Sequence, residues 1–205
     1  MFNLDNKNII ITGSAGLMGN QFAEIILKFN GNPILIDINQ KKLENQRKKL
    51  SKKFKKEIHA FKLDITNETD IIQNCNFIKK KLKGIYSLIN NAALNPKVDK
   101  NAISNKFENF DLNIWNKELE VGLTGAFLCS KHYGNLIRIN KKGGTIINIS
   151  SDLGIIGPNQ SIYKNKKNEI QKFYKPVSYS VVKSGLIGLT KYLATYWGRY
   201  NVRCN

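Results

Sequence analysis

"NIIITGSAGLMGNQFAEIILKFNGNPILID", residues 8–37, is the stretch on which the fold turns. Its β-branched opening, residues 8–12, reads as a strand buried on both faces. A glycine-rich turn follows at once, with Gly13, Gly16 and Gly19 inside TGSAGLMG, residues 12–19, and helical patterning continues over 17–29. A second buried strand, 33–37, ends on Asp37. Strand, turn, helix and strand in this order make a βαβ unit with parallel strands and a right-handed crossover. Glycines permit a tight turn and a close approach of the backbone, and the helix amino terminus offers unpaired N–H groups and positive potential to an anion. Gly13, Ser14, Gly16, Leu17, Met18 and Gly19 are therefore the candidate cradle for a dinucleotide pyrophosphate. Such a turn alone can be only a turn; the strand before it, the helix after it and Asp37 give it meaning. An acidic residue about 20 positions on accepts hydrogen bonds from ribose hydroxyls and repels a 2′-phosphate, which favours NAD over NADP. Lys41 and Lys42 pull the other way, since either attracts a phosphate.

Outward from this unit the same alternation continues. Runs at 59–64, 86–90 and 145–150 read as further buried strands, and 39–54, 67–82, 113–139 and 178–199 as helices. The final YNVRCN, residues 200–205, is read as the start of a sixth strand. The expected architecture is α/β: one domain over residues 1–205, a Rossmann-like doubly wound parallel sheet with helices on both faces. The irregular stretches 91–112 and 154–176 each follow the carboxyl end of a strand, the edge where such sheets bind ligands.

With 205 residues, 41% of them hydrophobic, the chain can bury one sizeable core. It has no apolar run long enough to span a bilayer, and its first strand begins too early to leave room for a signal peptide. A cytoplasmic protein is expected, without a membrane partner. Cys75, Cys129 and Cys204 lack metal-ligand spacing and are read as reduced and structural, with no metal site. The net charge of +18 invites a nucleic-acid reading. The densest basic block, KKLENQRKKLSKKFKKE at 41–57, nevertheless spaces Leu43, Leu50 and Phe54 as a surface helix with one buried stripe, so its lysines are read as a solvated face. No nucleic-acid partner is expected.

Two tyrosines are followed four residues later by a lysine: Tyr163 with Lys167 and Tyr179 with Lys183. With 8 tyrosines in a lysine-rich chain, one such match arises by chance. A phenol and an ammonium that serve one ligand must share a helix face, and that helix must be anchored by burial. KNKKNEIQKFYKP after Tyr163 has almost no apolar stripe and stops at Pro176, whereas Val182, Leu186, Leu189 and Leu193 after Tyr179 recur at threes and fours. Tyr179 and Lys183 are the expected pair. A lysine at about 4 Å favours an ionised phenol by roughly 4 kcal/mol at an effective dielectric near 20, enough to bring proton transfer toward neutrality.

The turn at 12–19, NNAA at 90–93, NISS at 148–151 and YSVVK at 179–183 stand in an order that resembles the short-chain dehydrogenase/reductase family across essentially the whole chain. More narrowly, ITGSAGLMG, VGLTGAFLCS and residues 175–205 are similar to a bacterial branch associated with flagellin modification and nonulosonic-acid sugar clusters. The resemblance implies an NAD(P)-dependent oxidoreductase that interconverts a secondary alcohol and a ketone on a small-molecule substrate, a sugar or sugar phosphate by the narrower likeness. It implies Ser151, Tyr179 and Lys183 as catalytic residues, with Ser150 as the alternative to Ser151. It also places Asp64 and Ile65 beside the adenine, Asn90 in support of the central strand, and Asn91, Ala92 and Ala93 along the cofactor cleft. A homodimer or homotetramer through 113–139 and 178–199 is implied as well.

Three features depart from the family pattern. Gly122 stands where the family commonly has Asn. Tyr163, 12 residues after Ser151, has the family's usual separation, so Tyr179 requires an insertion. That insertion carries Lys164, Lys166, Lys167, Lys172 and Lys175 and is read as a flap that attracts an anionic substrate. The chain also stops at strand six, which reads as a truncated member with its last strands missing. A noncatalytic protein that binds a dinucleotide or a partner on the same scaffold is the rival expectation.

Overall fold

A strand whose residues are apolar on both faces is stable only with strands at its edges and helices above and below. In the computed structural model, which describes residues 3–82, 84–94, 105–140, 142–163 and 174–205, β1 (Asn8–Thr12) is such a strand, buried along its whole length. It pairs with β2 (Asn32–Asp37) on one side and β4 (Ser87–Asn90) on the other. Beyond them lie β3 (His59–Lys62), β5 (Gly144–Asn148) and β6 (Val202–Cys204). The six strands are parallel in the order β3-β2-β1-β4-β5-β6. The chain works outward from β1 to β3 and then crosses to β4, so the direction of winding reverses between β1 and β4. The carboxyl ends of these two strands open a crevice there.

Helices α1 (Leu17–Lys28) and α2 (Gln40–Phe54) cover one face. Their Ala23, Ile26, Leu27, Leu43 and Leu50 pack on Ile9, Ile11, Leu35 and Ile89. The other face receives α3 (Glu68–Lys81), α5 (Gly125–Arg138) and α6 (Val177–Trp197), whose Ile71, Ile78, Cys129, Tyr133, Ile137 and Trp197 meet Ile10, Ile34, Leu88 and Ile146. The alternation of isoleucines along β1 thus divides one strand between two cores. α2 buries Leu43 and Leu50 and exposes most of its lysines, the solvated face expected of the basic block. Burial pushes the thiols of the free cysteines up, Cys75 to about 12 and Cys204 to about 11.

The single helix expected over 113–139 is two helices joined by a wide turn. α4 (Leu112–Leu119) runs through a π turn at Glu120–Thr124 into α5. Glycines in the middle of that turn and just after it admit close neighbours: a Cβ on Gly122 would lie 2.6 Å from Val182 Cγ1, and one on Gly125 2.6 Å from Ile65 Cδ1. Apolar periodicity does not report such a turn, because one extra residue leaves both halves amphipathic. Of the insertion lysines, Lys164, Lys166, Lys167 and Lys172 lie outside the described residues. Lys175 is held at the foot of the insertion by Gln160, whose Oε1 accepts its N–H at 2.9 Å and whose Nε2 donates to its carbonyl at 3.2 Å. Among the described residues, no helix is long and apolar enough to cross a membrane.

Candidate active site

A cavity of about 850 Å³ opens at the carboxyl edge of the sheet, where the winding reverses. The turn after β1 forms its floor. Gly13 has φ +60°, a conformation costly for a residue with a side chain, and a Cβ there would lie 2.8 Å from Ala92 Cα. Strand β4 is followed at once by Asn91, whose Nδ2 donates to the carbonyls of Thr12 and Gly13 at 3.0 Å each. Turn and strand end are therefore locked together, with Gly13, Gly16, Leu17, Met18, Asn91, Ala92 and Ala93 on the cavity wall. Leu17 is 86% exposed and Met18 50%, large apolar side chains left open at a helix amino terminus.

Two members of the expected cradle stand elsewhere. Ser14 is fully buried beneath the turn; its N–H donates to Ile36 O and its carbonyl accepts from Gln46 Nε2 at 2.8 Å. Gly19 packs α1 against the turn, where a Cβ would come within 2.6 Å of Ser14 Cα. Gly19 lets the helix sit close to the turn, and neither residue lines the cavity.

Asp37 lies at the end of β2 on the cavity wall. One carboxylate oxygen accepts the Ala15 N–H at 3.0 Å and the other the Asn39 N–H at 2.9 Å, so the side chain also braces the glycine turn. Asp64 and Ile65 follow β3 on the same wall. Asp64 Oδ1 accepts from both the backbone and the hydroxyl of Thr66, while α3 is capped by Asn67. Asn90 is buried behind the cleft, where its Nδ2 reaches Asn148 Oδ1 at 2.8 Å and Ser130 Oγ at 3.0 Å, tying β4 to β5 and α5.

Tyr179 and Lys183 enter from α6, one turn apart, and both line the cavity. Lys183 is 6% exposed, and its Nζ donates to Ile149 O at 2.5 Å. Burial, and secondarily the charge of Lys175, hold its ammonium below the ordinary lysine range. Tyr163 stands in a short 3-10 turn, Gln160–Tyr163, away from the cavity wall. After β5, Ser150 lines the cavity and its hydroxyl donates to Lys183 O at 2.8 Å. Ser151, outside the cavity lining, caps the next turn: its Oγ accepts the Leu153 N–H at 3.2 Å and donates to Asp152 Oδ1 at 2.7 Å. That hydroxyl and the Leu153 N–H hold the Asp152 carboxyl below its usual range.

Sequence reasoning missed the third wall, Lys117, Glu120 and Val121 on α4 and the π turn. Their spacing of three and four was available, but the expected helix had no partner assigned to that face. Glu118 was missed as well; it is 6% exposed and accepts from the hydroxyl of the fully buried Ser178. Nothing in the pattern marks a buried carboxylate in a stretch so rich in charge.

Asp37, Gly13, Gly16 and Tyr179 line one cavity of about 850 Å³, a volume typical of small-molecule and cofactor sites. The chain is 32% identical over 207 residues to a short chain dehydrogenase/reductase of Gibberella zeae, with 98% of this chain and 68% of the relative covered. It is 29% identical to the post-translational flagellin modification protein A of Campylobacter coli, over 98% of this chain and 75% of the relative. Among solved structures, an NAD+-bound xylitol dehydrogenase superposes with a TM-score of 0.83 at 22% identity, covering 100% of this chain and 70% of that one. A gluconate 5-dehydrogenase from Burkholderia cenocepacia in complex with NADP and tartrate gives 0.80 at 19% identity, covering 99% and 70%. The short chain dehydrogenase family matches residues 7–205, glycine turn and tyrosine helix included; this chain belongs to that family.

Proposed function

We propose that this chain is an NAD-preferring oxidoreductase that interconverts a secondary alcohol and a ketone on a sugar or sugar-phosphate derivative. The observation that carries the reading is the arrangement of Gly13, Asp37 and Tyr179 on one continuous cavity wall, with Lys183 buried one turn from the tyrosine. Gly13, Gly16, Leu17 and Met18 hold the pyrophosphate, Asp37 the adenosine ribose, Asp64 and Ile65 the adenine, and Asn91, Ala92 and Ala93 the central cleft. These residues would hold a nicotinamide dinucleotide, which would supply the hydride acceptor for oxidation of the alcohol and the hydride donor for reduction of the ketone.

The residues of the chain manage the proton. In oxidation the Tyr179 Oη takes the proton from the alcohol hydroxyl as its C–H hydrogen departs with the bonding pair; in reduction it gives that proton back to the carbonyl oxygen. Lys183 supplies the positive charge that favours the ionised phenol and holds the nicotinamide ribose. Ser151 donates to the reacting oxygen once its hydroxyl turns from Asp152. The commitment of the Ser150 hydroxyl to Lys183 O supports that choice.

NAD is favoured by the Asp37 carboxylate on the ribose end of the wall, and a cytoplasmic location accords with a reduced set of buried cysteines. The sugar assignment is supported by the resemblance to the flagellin-modification branch and by the 29% identity to a flagellin modification protein. The noncatalytic alternative draws on Gly122, whose place against Val182 leaves no room for the Asn side chain common in the family. The test is turnover of the full chain with NAD or NADP across sugar alcohols and sugar phosphates, followed by absorbance of the reduced nicotinamide. Faster turnover with NAD on at least one polyol is expected. Tight NAD binding with no turnover on any alcohol would favour the noncatalytic reading.

A further inference from the structure

Lys175 does not line the cavity, yet its Nζ lies 3.7 Å from the centroid of the Tyr179 ring, nearer than the Lys183 Nζ at 5.7 Å. A cation over an aromatic face is attracted by the ring quadrupole, and is attracted more strongly once the ring carries a full negative charge. Its placement is built in. Gln160 grips both backbone polar groups of Lys175, and Pro176 stands next at the N-cap of α6, so the side chain leaves a fixed point four residues before the tyrosine. Across from it, α4 presents the buried carboxylate of Glu118, anchored by the Ser178 hydroxyl.

We infer that Lys175 is a positioning residue that acts through Tyr179: a second cation, held on the ring by Gln160 and balanced by Glu118, that favours the charged form of the phenol. The role rests on the proposed acid–base function of Tyr179 and goes beyond it, since it gives the insertion foot an electrostatic task. Two lysines so close must also feel each other. Burial first and the charge of Lys175 second hold the Lys183 ammonium down, while burial holds Lys175 down against the opposing pull of Glu118. Other charged groups facing this end are Lys117 and Glu120 on the α4 side of the cavity and Asp152 on the turn after β5. Among the described residues, Lys175 and Lys183 are the cations that lie over the ring.

The experiment is a near-ultraviolet titration of tyrosinate in the full chain, with the same titration of Tyr179→Phe subtracted so that one phenol is read. It is repeated in Lys175→Gln, Lys175→Arg and Glu118→Gln, each paired with its own Tyr179→Phe control. Loss of the cation should raise the midpoint in Lys175→Gln by about one pH unit, a tenfold change in the ionisation constant. Lys175→Arg should restore it, and Glu118→Gln, which keeps an acceptor for Ser178 but removes the negative charge, should lower it. A Lys175→Gln midpoint within about 0.2 unit of the parent, in a protein with the parent's circular dichroism and melting temperature, overturns the inference. If Lys175→Gln does not fold, a Glu118→Gln midpoint that stays or rises overturns it instead. No turnover is needed for this reading. Absent activity with a shifted titration would therefore count against the proposed reaction alone, and an unshifted titration in an active enzyme against Lys175 alone.

Discussion

Gly13 shows how much one residue can decide. Its φ of +60° and the 2.8 Å that a Cβ would leave to Ala92 Cα are two separate obstacles to any side chain. The first costs about 1–2 kcal/mol and the second forces backbone apart, so Gly13→Ala should lose about 2–4 kcal/mol of stability by urea unfolding and at least tenfold in NAD affinity. An unchanged urea midpoint would show that the turn relaxes freely. The glycines were legible because the chemistry of a tight anion-binding turn leaves few residue types. Their division of labour was not: Gly13 and Gly16 face the cleft while Gly19 packs helix on turn, a distinction that depends on which atoms lie opposite. The burial of Ser14 was not legible for the same reason, since a polar residue in a turn gives no sign in sequence of bonding to Ile36 O and Gln46 Nε2 beneath it.

Among the elements, α6 and the α4–α5 pair carry the most information. The stripe of Val182, Leu186 and Leu193 anchors α6 and fixes the direction of Tyr179, and all three are buried as their spacing requires. The π turn between α4 and α5 was invisible to periodicity, although Gly122 was noticed as a departure. Its reason is contact: α6 approaches until Val182 occupies the space of a Gly122 side chain. Gly122→Asn would gain about 0.3 kcal/mol of helix propensity but overpack against a stiff β-branched neighbour at about 1–3 kcal/mol, so overpacking wins. We expect a lower melting temperature for Gly122→Asn and substantial recovery in Gly122→Asn with Val182→Ala. A stabilised single variant would mean that the two helices are free to separate.

For the molecule as a whole, the parallel sheet, the helices on both its faces and the ligand edge at the carboxyl ends of the strands were legible, because buried strands alternating with amphipathic helices admit few topologies; the strand order and the division of the expected single core into two were not. The insertion was legible as extra length and charge only; what it does near Tyr179 depends on Gln160, 15 positions from Lys175, which no local pattern connects. Buried cysteines give the whole fold an alkaline limit. Cys75 ionises near 9.0 when exposed and at about 12 when folded. Below pH 9 both states hold the proton; as pH rises from there toward 12 only the unfolded chain ionises at this site, and the stability contributed by the buried thiol is lost. Urea midpoints should therefore fall between pH 9 and pH 11, and fall less steeply in Cys75→Ala.

The central claim is that the proton of the reaction passes through Tyr179 on α6 and not through Tyr163, although both precede a lysine by four. The direct measurement is hydride transfer in Tyr179→Phe and Tyr163→Phe at saturating NAD, with NAD affinity determined in each. Tyr179→Phe should lose about 10²–10⁴-fold in kcat while its NAD affinity stays within a few-fold of the parent, and Tyr163→Phe should turn over like the parent. Turnover retained in Tyr179→Phe, or lost only in Tyr163→Phe, would contradict the account.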